Sequence, residues 1–459
     1  MDMTGGDTTG EQMSADVAVV GGGFSGLVAA IGLAEAGLEV VAIDKSPQLG
    51  GAARFAAGLI WTYPDVDRYL AEVPGADPEL ARIVADGLDP AVEWLAAHGV
   101  TISDRMEGVL GSGVGYRLLD PMDTVISSMA AALTAAGGQI LTGSAAASIR
   151  SDTRRRVAGV WLDPTAPLSA ISARAVVLST GGFQGNVELL SRFVTPDADH
   201  LVLRADPAST GDGFQFALDV GALASRGLQH FYGHLMPAPP AVIRPEQFRT
   251  LSQYFSVHGL VVDRAGCRFV DEAAADELTA QALSRRPGAS GYLILDRVGV
   301  ERAREPHSPG APPADRLGAV EKAGGSVIDC ADLAAVGEAI RVHGGDGRRA
   351  LEDVEEHNSR VTSSPERLVP NSSKDRAVDE PPFVCIPVVA GITYTHGGIR
   401  VDDSCRVIGR SYRPIEGLYA SGADVGATSY ERYAGGFAAA LTLGRRVVEA
   451  VTADLGVAS

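Results

Sequence analysis

Cysteine is scarce: Cys267, Cys330, Cys385 and Cys405 lie far apart and form no CxxC pair, which excludes a disulfide framework, a zinc ribbon and haem attachment through CxxCH. Aromatic residues make up only 6% of the 459 residues, while glycine is abundant at 55, a balance that points to tight turns and close backbone approaches. Long apolar runs are missing as well, because glycine and charged residues interrupt every stretch before the length of about 18–20 residues that a bilayer requires. Positive charge is short, with 39 Lys and Arg against 57 Asp and Glu and a net charge of −18. So acidic a surface repels phosphate backbones and anionic lipid, so neither nucleic acid nor membrane is expected as a partner. Residues 1–15 (MDMTGGDTTGEQMSA) have no basic n-region and no apolar h-region, and they read as a disordered tail rather than a signal peptide. No helical HxxxH with a third ligand involves His230, His234 or His258, so no metal is expected. What remains is an ordinary globular composition, 46% apolar and 21% charged, expected in the cytoplasm.

Residues 16–20 (DVAVV) predict a short buried strand, followed by glycines and by LVAAIGLAEAG with helical spacing. Gly37 is placed to end that helix, and a second strand, LEVVAID, ends at Asp44. Within 126–149 the stretch ISSMAAALTAAG predicts a helix leading into a strand pair, and RRVAGVWL and ARAVVLSTGG read as strands of the same lobe. From about 226 to 380 aromatics and prolines mix with charge, which reads as a separate inserted lobe, with EPHSPGAPPAD at 305–315 an exposed loop. Residues 391–459 return to glycine-rich, strand-then-helix sequence and end in an amphipathic helix, GFAAALTLGRRVVEAV.

Gly21, Gly23 and Gly26 form G-x-G-x-x-G directly between a strand and a helix. The first permits the tight turn, the second lets backbone approach a pyrophosphate, and the third lets helix pack on strand. The helix N-terminus offers unpaired N–H groups and a positive dipole end to the phosphates. Asp44, 18 residues beyond Gly26, is placed to accept from ribose hydroxyls. A dinucleotide site is the expectation. Gly50 and Gly51, the STGG turn at 179–182, GLYASGAD at 417–424 and YAGGFAAAL further on return the chain to that site, which a nicotinamide-only enzyme does not do.

The segments VVGGGFSGLVAA, DKSPQLGGAARFAAG, STGGF, STGDGFQFALDVGA, CRFVDE, GITYTHGGIRVD and GLYASGADVGATSYERYAGG together resemble the FAD-dependent fumarate reductase/3-ketosteroid Δ1-dehydrogenase superfamily, tricarballylate dehydrogenases included. The resemblance implies an α/β fold class, with a Rossmann-type FAD-binding domain over 16–225 and 381–459 and an inserted α+β substrate (capping) domain over 226–380. It implies that the Ser25 backbone meets the pyrophosphate and that Asp44, with Lys45 beside it, meets the adenosine end. Gly51, Ala52, Ala53, Ala57 and Gly58 match the loop that wraps ribityl and flavin, and Ala146 the adenine-facing backbone. Thr180, Gly181 and Asp212 are further cofactor contacts, Tyr394 lies beside the flavin, Asp424 holds ribityl hydroxyls, and Ala438 and Ala439 open the last helix toward it. The family sometimes attaches FAD through a histidine near the second glycine pair; GGAARFAAG contains none, so non-covalent FAD is expected.

On the substrate side the sequence departs from the fumarate reductases. Tyr433 stands where their RxGG arginine clamps a dicarboxylate, Thr393 stands where their HxTxGG histidine belongs, and Arg297 and Arg302 are out of register with their proton-delivering arginine. Ketosteroid and tricarballylate dehydrogenases carry a tyrosine at this point, which implies an oxidation that forms a C=C bond beside a ketone or carboxylate. Tyr433 O–H and the Gly436 N–H are expected to polarise the substrate carbonyl. The base that takes the α-proton stays open among Tyr254, His258, Tyr292, Tyr430 and His396. Arg432 is placed either to acidify Tyr430 or Tyr433 or to anchor a substrate carboxylate, and Glu272 matches the family's RFVNE acid. The alternatives are a reductase of α,β-unsaturated acids and a non-catalytic flavin-binding homologue. The expected partners are a small ketone or carboxylic acid and an external electron acceptor; the alternative reductase would need a separate electron donor, because no second nucleotide motif and no haem segment is read in the sequence.

Overall fold

Val17–Val20 lie buried on both faces, so strand β1 (Gln12–Val20) is an apolar run rather than an alternating one, as a central parallel strand requires. It pairs in parallel with β2 (Val40–Ile43) on one side and β3 (Ala170–Leu178) on the other. The computed structural model describes residues 11–154, 156–306, 314–363 and 376–457; most of the Pro-rich stretch and residues 1–10 lie outside them. Residues 12–15, expected in the disordered tail, are instead the start of β1, because their backbone pairs with Ala170–Ala173. Helix α1 (Phe24–Glu35) joins β1 to β2 and ends in a Schellman turn, with Leu38 N donating to Leu33 O at 3.2 Å and Gly37 N to Ala34 O at 2.9 Å. Gly37 has φ +84° and open space where a Cβ would stand, so the left-handed backbone alone demands glycine there.

Strand β4 (Pro414–Ala420) adds in parallel to the free edge of β3. The sheet order is 406–408, β4, β3, β1, β2, 139–141, with the antiparallel pair Ala146–Ser151 and Val157–Leu162 attached through β3. The last helix, α2 (Gly436–Leu455), packs on α1 at a glycine-lined crossing. A Cβ on Gly32 would lie 2.7 Å from Val448 and one on Gly444 2.9 Å from Val28, so both helices need bare backbone there. Strands Leu59–Thr62, Gly113–Arg117 and Met106–Val109 form a small antiparallel sheet of their own.

Two compact units divide the chain: one holds the residues up to Asn186, Asp206–Leu228 and those from Thr395 on, and the other holds Val187–Ala205 and Gln229–Tyr394. The second therefore exceeds the expected 226–380 at its far end and takes in an earlier segment as well. The reason is one long strand, Phe383–Thr395, on which its sheet is organised. Val202–Leu203 pairs with Gly391 and Ile392 of that strand, drawing 187–205 in, and Ser290–Leu295 pairs antiparallel along its first half. Leu293, Leu295, Ile386 and Val388 fill the core at 0% exposure. Helices such as Asp276–Ser284 and Leu333–Val342 accompany the mainly antiparallel sheet, which makes this unit α+β.

Glu272 belongs to this scaffold. It is fully buried, takes Arg268 Nε and Nη2 at 3.0 and 2.6 Å, and accepts the Val261 N–H at 2.8 Å. A buried pair broken on one side leaves an uncompensated charge. Arg268→Met is expected to lower unfolding free energy by about 3–5 kcal/mol in urea titration. A loss below about 1 kcal/mol would show the pair to be dispensable.

Candidate functional site

At the end of β1 the backbone turns at Gly21, whose φ is +108° and whose Cβ would fall 2.2 Å from the Ser179 carbonyl. Gly26 is tighter still, since its Cβ would lie 1.9 Å from the Gly21 carbonyl, and so α1 starts directly against the strand end. Gly23 differs: its Cβ would meet no protein atom closer than 3.9 Å. Nothing in the protein demands glycine at 23, which is what a ligand pressed onto bare backbone predicts. Gly50 N donates to Gly22 O at 2.9 Å, and Gly51 (φ +49°) faces Gly23 across an equally open gap. The 3₁₀ helix Gly51–Phe55 carries Ala52 and Ala53, and Ala57 and Gly58 follow it.

No side chain caps α1, and its first turn has no acid, so its leading N–H groups are available to an anion. Ser25 points its hydroxyl away from them, to Ala440 O at 2.8 Å and Ser421 Oγ at 3.0 Å. That contact ties α1 to α2, and the two N-termini lie side by side with Phe24 edge-on to Phe437 at 4.9 Å. Asp44 accepts the Gly22 N–H at 2.8 Å and the Ser46 N–H at 2.7 Å, and burial holds its carboxyl above the usual range against those two donors. Lys45 and Asp212, both expected at the cofactor, meet each other at 2.7 Å, with Thr210 Oγ1 2.6 Å from Lys45 Nζ. Ala146 opens the strand Ala146–Ser151 opposite Leu162.

Asp424 organises the next layer. Its carboxylate accepts the Gly181 N–H at 2.9 Å and the Thr180 hydroxyl at 3.1 Å, and Thr180 Oγ1 in turn accepts the Gly213 N–H at 2.9 Å. Burial pushes the Asp424 carboxyl up to about 7, with the Gly181 and Thr180 contacts pulling the other way. A carboxyl raised in the fold binds its proton more tightly folded than unfolded, so its contribution to stability is present in acid and is lost as pH rises through about 7. The flavin-free protein is therefore expected to melt higher at pH 6 than at pH 8. In Asp424→Asn that difference should shrink; an unchanged difference would assign it to other groups.

Gly435 caps α2 with φ +89°, and its Cβ would lie 1.8 Å from the Trp61 carbonyl. The chain before it brings Tyr433 back onto the helix start, where Tyr433 Oη accepts the Gly436 N–H at 2.6 Å. The Gly436 N–H, expected from sequence as a donor beside the Tyr433 phenol, is thus taken up by the phenol oxygen itself. Trp61 packs edge-on to Tyr433 at 6.0 Å and to Tyr63 at 5.6 Å, and Tyr63 in turn to Tyr69 at 5.4 Å. This aromatic wall escapes sequence reasoning, because its only trace is WTY after the glycine loop. His396, buried, lies parallel to the Tyr433 ring at 6.4 Å, and its Nδ1 bonds the Tyr430 carbonyl. Tyr430 itself is clamped between glycines: a Cβ on Gly75 would sit 2.1 Å from its ring and one on Gly227 3.2 Å away. Arg432 is half-buried on the same segment and its carbonyl accepts the Tyr430 N–H at 3.3 Å. Ala438 and Ala439 are buried in the first turn of α2.

The remaining candidates belong to the second unit, where Tyr394 is the last residue. Tyr292 is core: it is 3% exposed, its hydroxyl donates to His343 O at 2.7 Å, and burial raises its pKa, so it is no base. Arg297 pairs with Glu301 and Glu380, and Arg302 with Glu305, on the surface. Tyr254 and His258 bound one short 3₁₀ helix, and the Arg316 guanidinium lies 5.3 Å over the Tyr254 ring. Thr393 accepts from Arg204, a residue with no motif to announce it and only 5% exposed. His230 pairs with Gln281 and His234 with Asp276, and no metal-holding cluster occurs among the described residues.

A Rossmann-type sheet with the uncapped N-terminus of α1 over an open glycine cradle defines a dinucleotide-binding protein. The chain belongs to the FAD binding domain family, whose model matches residues 16–438, and it is an FAD-dependent oxidoreductase. It is 26% identical to a fumarate reductase (cytochrome) of Shewanella frigidimarina over 94% of this chain and 76% of that one. It is 25% identical to a 4-oxocyclohexanecarboxylate 2-dehydrogenase of Sinomonas cyclohexanicum, over 94% of this chain and 90% of that one. Its fold matches 3-ketosteroid Δ1-dehydrogenase from Sterolibacterium denitrificans with a TM-score of 0.74 at 18% identity, covering 96% and 99% of the two chains. Among the described residues no helix is long and apolar enough to cross a membrane.

Proposed function

We propose that the protein is a dehydrogenase that introduces a C=C bond α,β to a ketone or carboxylate. The observation that carries this reading is Tyr433, whose phenol oxygen takes the Gly436 N–H at the opening of α2. A carbonyl accepting from that phenol gains negative charge as its α-proton leaves, and the N–H behind the phenol stabilises that charge. Trp61 and His396 fix the ring, so the donor needs no reorganisation in the reaction. FAD, held non-covalently by the Gly21–Gly26 loop, Asp44, the 51–58 segment and Asp424, supplies the two-electron oxidant when bound. An external acceptor then takes the electrons, and the second unit serves as the substrate (capping) domain.

The dehydrogenase named for 4-oxocyclohexanecarboxylate supports an oxidation beside a ketone. The fumarate reductase relative supports the reverse, reduction of an α,β-unsaturated acid, as the second reading. The deciding experiment mixes the oxidised protein anaerobically with cyclic ketones and saturated acids, 4-oxocyclohexanecarboxylate among them, and follows the visible flavin band. Bleaching is expected. No bleaching, with rapid reoxidation of dithionite-reduced flavin by enones or enoates, would overturn it in favour of the reductase.

A further inference from the structure

The hairpin that leads into β4 carries chemistry that the cofactor site does not use. Gly409 N donates to Arg413 O and Tyr412 N to Gly409 O, both at 2.9 Å, so residues 409–413 close a tight turn. Arg410, Ser411, Tyr412 and Arg413 are all exposed on it. Arg400, also exposed, is laid beside the hairpin by its backbone, whose carbonyl accepts the Ile408 N–H at 2.9 Å. Its guanidinium lies 5.6 Å over the Tyr412 ring. Among the described residues none of these three arginines joins an ion pair. Of the carboxylates close by in sequence, Asp402 pairs with Arg406 and Glu416 with Arg156. Three guanidinium groups thus stay unneutralised on a chain whose net charge is −18.

Tyr412 adds a second observation. Its φ is +57°, in the left-handed region that a bulky side chain rarely adopts, and it is 72% exposed. Glycine would make the same turn without that strain. An aromatic ring held out in solvent against its own backbone preference contributes little to the core. Tyrosine and arginine are also the residues that anchor protein interfaces, where a planar ring and a planar fork give large contact area.

We propose that Arg400, Arg410, Arg413 and Tyr412 form the docking surface for a carboxylate-rich segment of a partner protein. Each guanidinium can take a carboxylate through two parallel N–H···O bonds, and Tyr412 supplies apolar contact area between them. Charge selects this occupant. A nucleic acid or an anionic bilayer extends beyond so small a patch and meets the acidic surface around it, whereas a short acidic segment spans the patch alone. The seven residues of β4, about 20 Å of extended chain, separate the hairpin from Asp424, which follows the other end of the strand. A partner on the hairpin therefore leaves the cofactor end of β4 uncovered.

Fluorescence anisotropy of a dye-labelled hexaglutamate peptide, titrated with the flavin-loaded protein at low salt, tests this. Wild type is expected to bind, with affinity falling as salt screens the charges. The triple variant Arg400→Ala, Arg410→Ala, Arg413→Ala should lose about tenfold or more in affinity at unchanged flavin content. Tyr412→Gly should bind the peptide more weakly while melting no lower than wild type, and it decides the matter if the triple variant fails to fold. Arg297→Ala, whose guanidinium is taken by Glu301 and Glu380, is the control and should bind as wild type does. No binding at low salt, or binding that survives both the triple variant and Tyr412→Gly, overturns the proposal. Tighter binding to vesicles of anionic phospholipid or to duplex DNA than to the peptide overturns the acidic segment as occupant.

Discussion

Tyr433→Phe is expected to slow flavin reduction by substrate about 10²- to 10³-fold while the flavin stays bound, the cost of removing one preorganised donor to a developing oxyanion. The ring remains between Trp61 and His396, at 6.0 and 6.4 Å, so the aromatic wall persists. What disappears is the oxygen that takes the Gly436 N–H at 2.6 Å. That N–H, freed, stays on the first turn of α2 and cannot follow a substrate oxygen as the phenol did. Substrate binding should change little, because the phenol acts mainly on charge that grows in the transition state. Anaerobic stopped-flow measurement of the flavin band at saturating substrate reads this directly. Reduction within about tenfold of wild type would take Tyr433 out of the chemistry.

Gly26→Ala is expected to yield protein without flavin. The added Cβ would lie 1.9 Å from the Gly21 carbonyl and 3.2 Å from the Ser179 side chain, so α1 must move off the strand end. The obstacle is backbone, which cannot rotate aside. Displacing α1 also pulls Ser25 from Ala440 and Ser421 and separates its N-terminus from that of α2. The cradle thus loses both helix ends together. The ratio of visible flavin absorbance to protein absorbance after purification measures the effect. A yellow protein with normal flavin content would show that the helix tolerates the shift.

The cofactor half of the site was legible in the sequence for a local reason. A strand, a glycine turn and a helix within about 30 residues must close on one another, so Gly21, Gly23, Gly26 and Asp44 announce their geometry by spacing alone. The aromatic wall was not legible, because Trp61 meets Tyr433 only after a chain excursion of hundreds of residues. Tyr430 and Tyr433, three apart, carry the same functional group; one is packed between Gly75 and Gly227 and the other bonds a helix N-terminus. Glu272 likewise matched a motif acid, and only the fold shows Arg268 holding it. Lys45 and Asp212, each read as a cofactor contact, turn out to bond one another.

By itself the sequence determined that this chain builds a dinucleotide cradle, that its surface is acidic and that its closing helix starts on paired glycines, since these follow from local steric demands and from composition. The tertiary structure alone decided that Tyr433 is the tyrosine bonded to the opening of the last helix, that 187–205 joins the second unit, and that Asp276 holds one nitrogen of His234. Each of these depends on partners distant in sequence, and a side chain's chemistry is set by what it is buried against.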